Sequence, residues 1–131
     1  LRGGYVLAQS GEGEPELLII ATGSEVSLAL AAMQELGQEG KNVRVVSLPS
    51  WDLFEAQPES YRDTVIPPAC TRRIVIEAGS PLGWARYAGP TGIKLCIANR
   101  FGASGPWKVL AEEYGFTTAH VVATARKLFE K

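Results

Sequence analysis

The sequence has little of the chemistry that metal and disulfide sites need. One histidine and two cysteines occur in 131 residues. Cys70 and Cys96 stand far apart and form no Cys-x-x-Cys pair, and His120 has neither a second histidine nor an acidic cluster beside it. Zinc sites usually combine several such ligands at short spacing. We therefore expect no metal site, no disulfide and a neutral surface histidine.

Charge of one sign and long apolar runs are missing as well. Thirteen basic residues against fourteen acidic ones give a formal charge of −1, and no basic cluster is present. This balance argues against nucleic acid or an anionic membrane as a partner. The apolar stretches are too short to span a bilayer, and the N-terminus has no basic-then-apolar signal pattern. We expect a cytoplasmic protein, or a plastid one if a transit segment has been removed.

The composition that remains is typical of one globular domain. Hydrophobic residues make up 46% of the chain and charged residues 21%. These values are common in soluble proteins with a packed core. The length suits a single domain, residues 1–131, of ordinary size.

Five short apolar runs predict β-strands, at residues 5–9, 16–21, 43–48, 73–78 and 93–98. The first two runs are linked by the glycine-rich turn 10–15, which ends in proline. Such a short link favours a hairpin, so we expect the first strand to pair antiparallel with the second.

Helical periodicity separates the strands. A helix is expected from Ser24, which suits an N-cap, to Gly37 or Gly40. Its apolar stripe consists of Val26, Ala29, Leu30, Met33 and Leu36. Short helical turns are expected over 49–63 and 80–89, and two longer helices after Pro106 and after Thr117 or Thr118. The last helix should face inward with Val121, Val122, Ala125, Leu128 and Phe129.

This alternation of strands and helices predicts the fold class. Strand–helix–strand units form parallel sheets with helices on both faces. We expect a three-layer α/β/α domain whose five-stranded, mostly parallel sheet has one antiparallel N-terminal edge strand.

The strongest candidate site is the stretch "ATGSEV", where a strand turns directly into a helix. A helix N-terminus attracts anions, which makes Thr22, Gly23, Ser24 and Glu25 a candidate anion site. The stretch lacks the lysine of a P-loop and the further glycines of a dinucleotide fingerprint. Glu25 would itself occupy the favourable position in the helix dipole and would repel a phosphate. Helix capping is therefore the competing interpretation.

Three other residues follow predicted strands at the same expected sheet edge. Glu77 could orient a ligand there or simply accept hydrogen bonds from the next turn. Arg100 could contact an anion or a neighbouring domain, or could be solvated. Ser104 suits a helix cap better than a nucleophile, because no Gly-x-Ser-x-Gly surrounds it. These residues do not form a catalytic set.

Aromatic residues in the connections suggest a third possibility. Trp51, Phe54 and Trp84 lie in or beside predicted loops, and exposed aromatic side chains often anchor interfaces. A purely structural role at a domain or subunit interface therefore stands beside the anion-binding hypothesis.

Several segments, in order and over almost the whole chain, resemble the C-terminal domain of transketolase. They are "RGGYVL", "PELLIIATGSEVSLALAA", "VRVVSLPSWDLFEAQPESYRDTVIP", "RIVIEAGSPLGWARYAG", "FGASGP" and "YGFTTAHVV". The equivalent domains of deoxyxylulose phosphate synthase and of 2-oxoacid dehydrogenase β-subunits are similar in fold. "SLPSWDLFEAQ" and "YRDTVIP" are closer to transketolase.

The resemblance implies a function for a larger enzyme. That enzyme would transfer a two-carbon ketol unit between sugar phosphates, as a homodimer that uses thiamine diphosphate and Mg²⁺ or Ca²⁺. The cofactor-binding and catalytic residues would lie in preceding domains of the same polypeptide, so the resemblance assigns no catalytic, cofactor-binding or metal-binding residue here. It also implies that Leu1-Arg2 ends an interdomain linker and that this chain alone is inactive.

Overall fold

The computed structural model describes residues 3–21, 25–77, 87, 93–96 and 118–130. Their helices and strands, in chain order, are β1 (Tyr5–Gln9), β2 (Leu17–Ala21), α1 (Glu25–Gln38), β3 (Val43–Ser47), α2 (Trp51–Glu55), α3 (Glu59–Val65), β4 (Arg73–Glu77), β5 (Ile93–Cys96) and α4 (Thr118–Phe129). The described strands start and end within two residues of the predicted runs.

The strands form one mixed sheet in the order β1-β3-β2-β4-β5. The last four in this order are parallel to their neighbours, and β1 is antiparallel to β3. Helices cover both faces. The predicted three-layer α/β/α fold with an antiparallel N-terminal edge strand is therefore confirmed.

The predicted hairpin between the first two strands is wrong, because β3 lies between them. β1 pairs with β3 through Tyr5↔Ser47 and Val6↔Val46, while β2 pairs with β3 on its other side. Burial explains this order. All five residues of β2 are completely buried, as a central strand requires, whereas β1 keeps exposed side chains and suits an edge.

Two apolar clusters lie on the two sides of the sheet. The first packs α1 and α4 against alternate residues of the strands, including Ile19, Val45 and Ile74. The second packs Phe54 of α2 and Val65 of α3 against the opposite face. Strand residues alternate between the faces, which is why adjacent residues of one apolar run enter different clusters.

The two longer described helices follow the predicted apolar stripes. In α1, Ala29, Met33 and Leu36 are buried, and Gly40 with its φ of +87° follows the helix end. In α4, the buried residues are Val121, Val122, Ala125 and Leu128, and Phe129 is half-buried. The helix expected after Pro106 lies outside the described residues, as does most of the turn at 80–89. No helix in the described ranges is long and apolar enough to cross a membrane.

The connection after β3 forms the expected short helices. Ser50 caps α2, and its side chain accepts a hydrogen bond from the Leu53 backbone N–H. Phe54 contradicts the expectation of an exposed interface aromatic, because it is 2% exposed and belongs to the core. Trp51 is half-buried, and Trp84 lies outside the described residues.

Candidate functional site

The carboxyl ends of the parallel strands meet at one edge of the sheet. Register places Ala21, the last residue of β2, beside Ser47 of β3 and Ile76 of β4. Glu77, the last residue of β4, is level with Cys96 at the end of β5. This is the edge at which α/β sheets usually bind ligands.

The structure describes only part of the predicted site. The backbone of Glu25 begins α1, and the backbone of Glu77 ends β4 at the carboxyl edge. Thr22, Gly23, Ser24, Arg100 and Ser104 lie outside the described residues. The candidate anion or interface site therefore stays a prediction.

Ser47 is a buried polar residue at the carboxyl edge that sequence reasoning missed. It is 7% exposed, and it is the one polar side chain in the buried set of the described residues. Its neighbours across the sheet are Tyr5 and Ala21. A serine that follows the apolar pair Val45–Val46 at the end of β3 was the available signal.

A groove of about 250 Å³ lies between α2, α3 and the start of β4. Glu55 is central to its polar wall. One carboxylate oxygen, Oε2, accepts a hydrogen bond of 2.8 Å from the Tyr87 hydroxyl, and Oε1 lies 3.3 Å from Nη1 of Arg62. The other lining residues are Phe54, Asp63, Ile66, Pro68 and Arg73.

Arg73, the first residue of β4, donates to three backbone carbonyls around this groove. Nε donates to the Cys70 oxygen at 2.8 Å, Nη1 to the Tyr87 oxygen at 3.1 Å and Nη2 to the Pro67 oxygen at 3.1 Å. Burial lowers the pKa of this guanidinium. Most of the polar side chains of the groove bond to one another or to the backbone and so hold the fold together: Glu55, Arg62, Arg73 and Tyr87.

The described residues offer little chemistry of their own. Across these ranges, no group of three or more His, Cys, Asp or Glu side chains could hold a metal ion. Cys70 is a free, buried thiol, and burial raises its pKa, so it is a weak nucleophile at neutral pH. His120 is exposed in the first turn of α4. We assign no catalytic step to the described part of the chain.

Taken together, these features define a three-layer α/β domain with the buried Ser47 at its carboxyl edge and a groove on the α2 side. The family model for transketolase-like C-terminal domains matches residues 3–117. The chain therefore belongs to the transketolase C-terminal domain family.

Similar proteins agree with this assignment. A transketolase of Geobacillus stearothermophilus is 52% identical over 130 residues, which are 99% of this chain and 19% of that protein. The solved transketolase of Leishmania mexicana is 38% identical with a TM-score of 0.86, and the match covers 98% of this chain and 18% of that one. The chain thus spans about a fifth of the length of these relatives.

A third relative is a shorter protein. The structure of a split-gene transketolase, described as an inactive β4 tetramer, is 26% identical with a TM-score of 0.70. The match covers 99% of this chain and 43% of that chain.

Proposed function

We propose that this chain works as the C-terminal domain of a transketolase. The complete enzyme transfers a two-carbon ketol unit between sugar phosphates. One observation carries the proposal: the family match over residues 3–117, together with identity above one half to a transketolase of which the chain covers only 19%. The cytoplasm is the compartment that we propose for it.

The cofactors belong to the other domains in this proposal. Thiamine diphosphate and Mg²⁺ or Ca²⁺ would supply the carbanion chemistry of the transfer, bound by preceding domains of the same polypeptide in a homodimer. Within the described ranges no set of side chains fits the metal. This chain alone is proposed to be inactive because, in this proposal, the catalytic and cofactor-binding residues lie in the preceding domains. Its proposed role is to support the fold and the contacts between domains and subunits.

The test compares two purified proteins. The complete polypeptide encoded by the gene should form a new ketose phosphate from a ketose phosphate donor and an aldose phosphate acceptor, and should stop doing so when thiamine diphosphate is removed. The 131-residue chain should fold without any such activity. Ketol transfer by the 131-residue chain would contradict the proposal that the catalytic residues lie in other domains. An inactive complete polypeptide would contradict the proposed function itself.

A second candidate function is binding of a small anion or regulatory ligand at the carboxyl edge. Ser47, a buried polar residue at that edge, favours this candidate, and the sequence predicts Thr22–Glu25, Glu77, Arg100 and Ser104 as further members of the site. A ligand that binds only the native state raises the melting temperature with its concentration. Inorganic phosphate, sugar phosphates and nucleotides are the ligands to titrate, with Ser47→Ala as the variant that should respond less. Unchanged melting of the wild-type chain at millimolar ligand would reject this candidate.

A further inference from the structure

The exposed large hydrophobic residues lie on the edge strand β1 and on helix α2, which follows β3, the neighbour of β1 in the sheet. In the described part of the chain they are Tyr5, Val6 and Leu7 of β1 and Leu53 of α2, with exposed fractions between 39% and 45%. The chain just before β1 packs against α2 at Gly3, since a Cβ atom added to this glycine would lie 2.7 Å from the Leu53 Cβ. We call these four residues the β1 patch.

The patch surrounds the edge strand instead of covering one face. Val6 lies opposite Val46, whose side chain belongs to the cluster on the α2 side of the sheet. Tyr5 precedes Val6 and therefore points to the other face, where α1 and α4 pack. The β1 patch therefore has apolar side chains on both faces of the edge strand.

The edge strand β1 carries only one of the protections against pairing that edge strands usually have. The sequence of β1, "YVLAQ", contains no charged residue and no proline, the two common guards against unwanted pairing. Its one irregularity is a bulge between Val6 and Ala8. A bulge interrupts the regular hydrogen-bond ladder, so addition of a further strand is disfavoured, while the side chains stay accessible for packing.

We propose that the β1 patch is the surface through which this domain docks onto the remaining domains of the same transketolase polypeptide. This inference rests on the proposed function. The size of the relatives supports the occupant, since the chain covers only 18–19% of their length and most of each protein lies elsewhere. A second copy of the chain fits less well, because the bulge between Val6 and Ala8 disfavours continuous pairing of two β1 strands. The partner surface should be apolar.

Cysteine labelling in the complete polypeptide tests the docking. Val6→Cys and Leu53→Cys place thiols in the β1 patch, and Ala123→Cys places a control thiol on the exposed side of α4. The rate of reaction with a maleimide is measured by peptide mass spectrometry in the native and in the urea-unfolded enzyme. Docking predicts that unfolding accelerates the two patch thiols by roughly tenfold or more and the control thiol by only about threefold or less.

Each other outcome has a defined meaning. If the patch thiols react as fast as the control in an enzyme that transfers ketol units, the docking proposal is overturned and the proposed function stands. If they are protected in a polypeptide without transferase activity, the proposed function fails and the contact remains. If the 131-residue chain sediments as a dimer that protects both thiols equally well, the occupant is a second copy and the proposal is wrong.

Discussion

The Tyr87 hydroxyl donates a 2.8 Å hydrogen bond to Glu55 Oε2 and so connects the segment after β4 to helix α2. Tyr87 is 4% exposed, and its ring lies 6.3 Å from that of Phe54 between centroids. A carboxylate thus receives its hydrogen bond at the margin of an apolar cluster. The contact joins residues 32 positions apart in the chain.

Removing this hydroxyl should weaken the domain. Tyr87→Phe keeps the ring and leaves one oxygen of a half-buried carboxylate without this donor, which should lower the free energy of unfolding by about 1–3 kcal/mol. Tyr5→Phe removes a hydroxyl from an exposed ring and should change it by less than about 0.5 kcal/mol. Urea unfolding of both variants measures the difference, and equal effects would mean that the Tyr87–Glu55 bond is unimportant.

Two glycines with similar backbone angles should respond differently to alanine. Gly3 has φ +80° and Gly13 has φ +78°, so both substitutions cost about 1–2 kcal/mol for the left-handed conformation. A Cβ on Gly3 would also lie 2.4 Å from the Phe54 nitrogen and the Ser50 oxygen, while the space at Gly13 is open. Gly3→Ala should therefore cost roughly 1–3 kcal/mol more than Gly13→Ala. Equal melting temperatures of the two variants would refute the close packing of the N-terminal segment on α2.

Asn42 is expected to organise the turn between β1 and β2. Its side-chain nitrogen donates to the Glu12 and Glu14 carbonyls at 2.9 and 3.0 Å, and its Oδ1 accepts from Gln9 at 3.0 Å. Asn42→Asp replaces the donating side-chain nitrogen with a carboxylate oxygen, which would face the two backbone carbonyl oxygens of Glu12 and Glu14. The substitution should lower the free energy of unfolding by about 1–3 kcal/mol. Gln38→Glu adds the same charge at an exposed site and is the control. Similar losses in the two variants would show that charge, and not the hydrogen bonds, causes the effect.

The ion pair between Arg126 and Glu39 should appear in the acid stability of the domain. The hydrogen bond from Arg126 holds the pKa of Glu39 below its usual value. A carboxyl whose pKa is lowered by folding stabilises the native state above its ordinary pKa, near pH 4.3, and this stabilisation is lost as the pH falls through the lower native value.

Removing the arginine should reduce the stability that the domain loses as the pH falls. Arg126→Gln should unfold with a shallower pH dependence below about pH 4.3 than the wild-type chain. Lys127→Gln removes one positive charge from the same exposed helix turn and should keep the wild-type slope. The effect should be small, because exposed pairs contribute little. Indistinguishable slopes in thermal melts across this pH range would contradict the assignment.

Much of the fold could be predicted because the hydrophobic runs of strands and the apolar periodicity of helices can be recognised in short stretches of sequence. The wholly apolar run of β2 requires a place inside the sheet, and the stripe from Val26 to Leu36 fits a helix on that sheet. One prediction from local turn chemistry was wrong, because the glycine-rich turn 10–15 suggests a hairpin that the structure does not form. The pairing of β1 is decided by β3, which needs a neighbour on its second edge and occurs more than thirty residues later.

For the candidate site, only the meeting of the strand ends could be predicted and compared with the fold, and the site itself stays a prediction. The ends of β2, β3 and β4 do meet at one edge, as the parallel topology requires. Sequence reasoning did not find the groove around Glu55 and Arg73, because its bonds join residues from separate elements and end on backbone carbonyls that no motif marks. Phe54 was misjudged for a similar reason: a residue in a crossover can point inward when a short helix turns it onto the sheet.

Calorimetric titration of thiamine diphosphate with Mg²⁺ tests the central claim most directly, with the complete polypeptide and the 131-residue chain measured side by side. If this chain is a non-catalytic C-terminal domain of a transketolase, the complete polypeptide binds the cofactor and the 131-residue chain shows no saturable heat up to millimolar concentration. Saturable binding to the 131-residue chain would contradict the account, because the cofactor site would then lie within this domain.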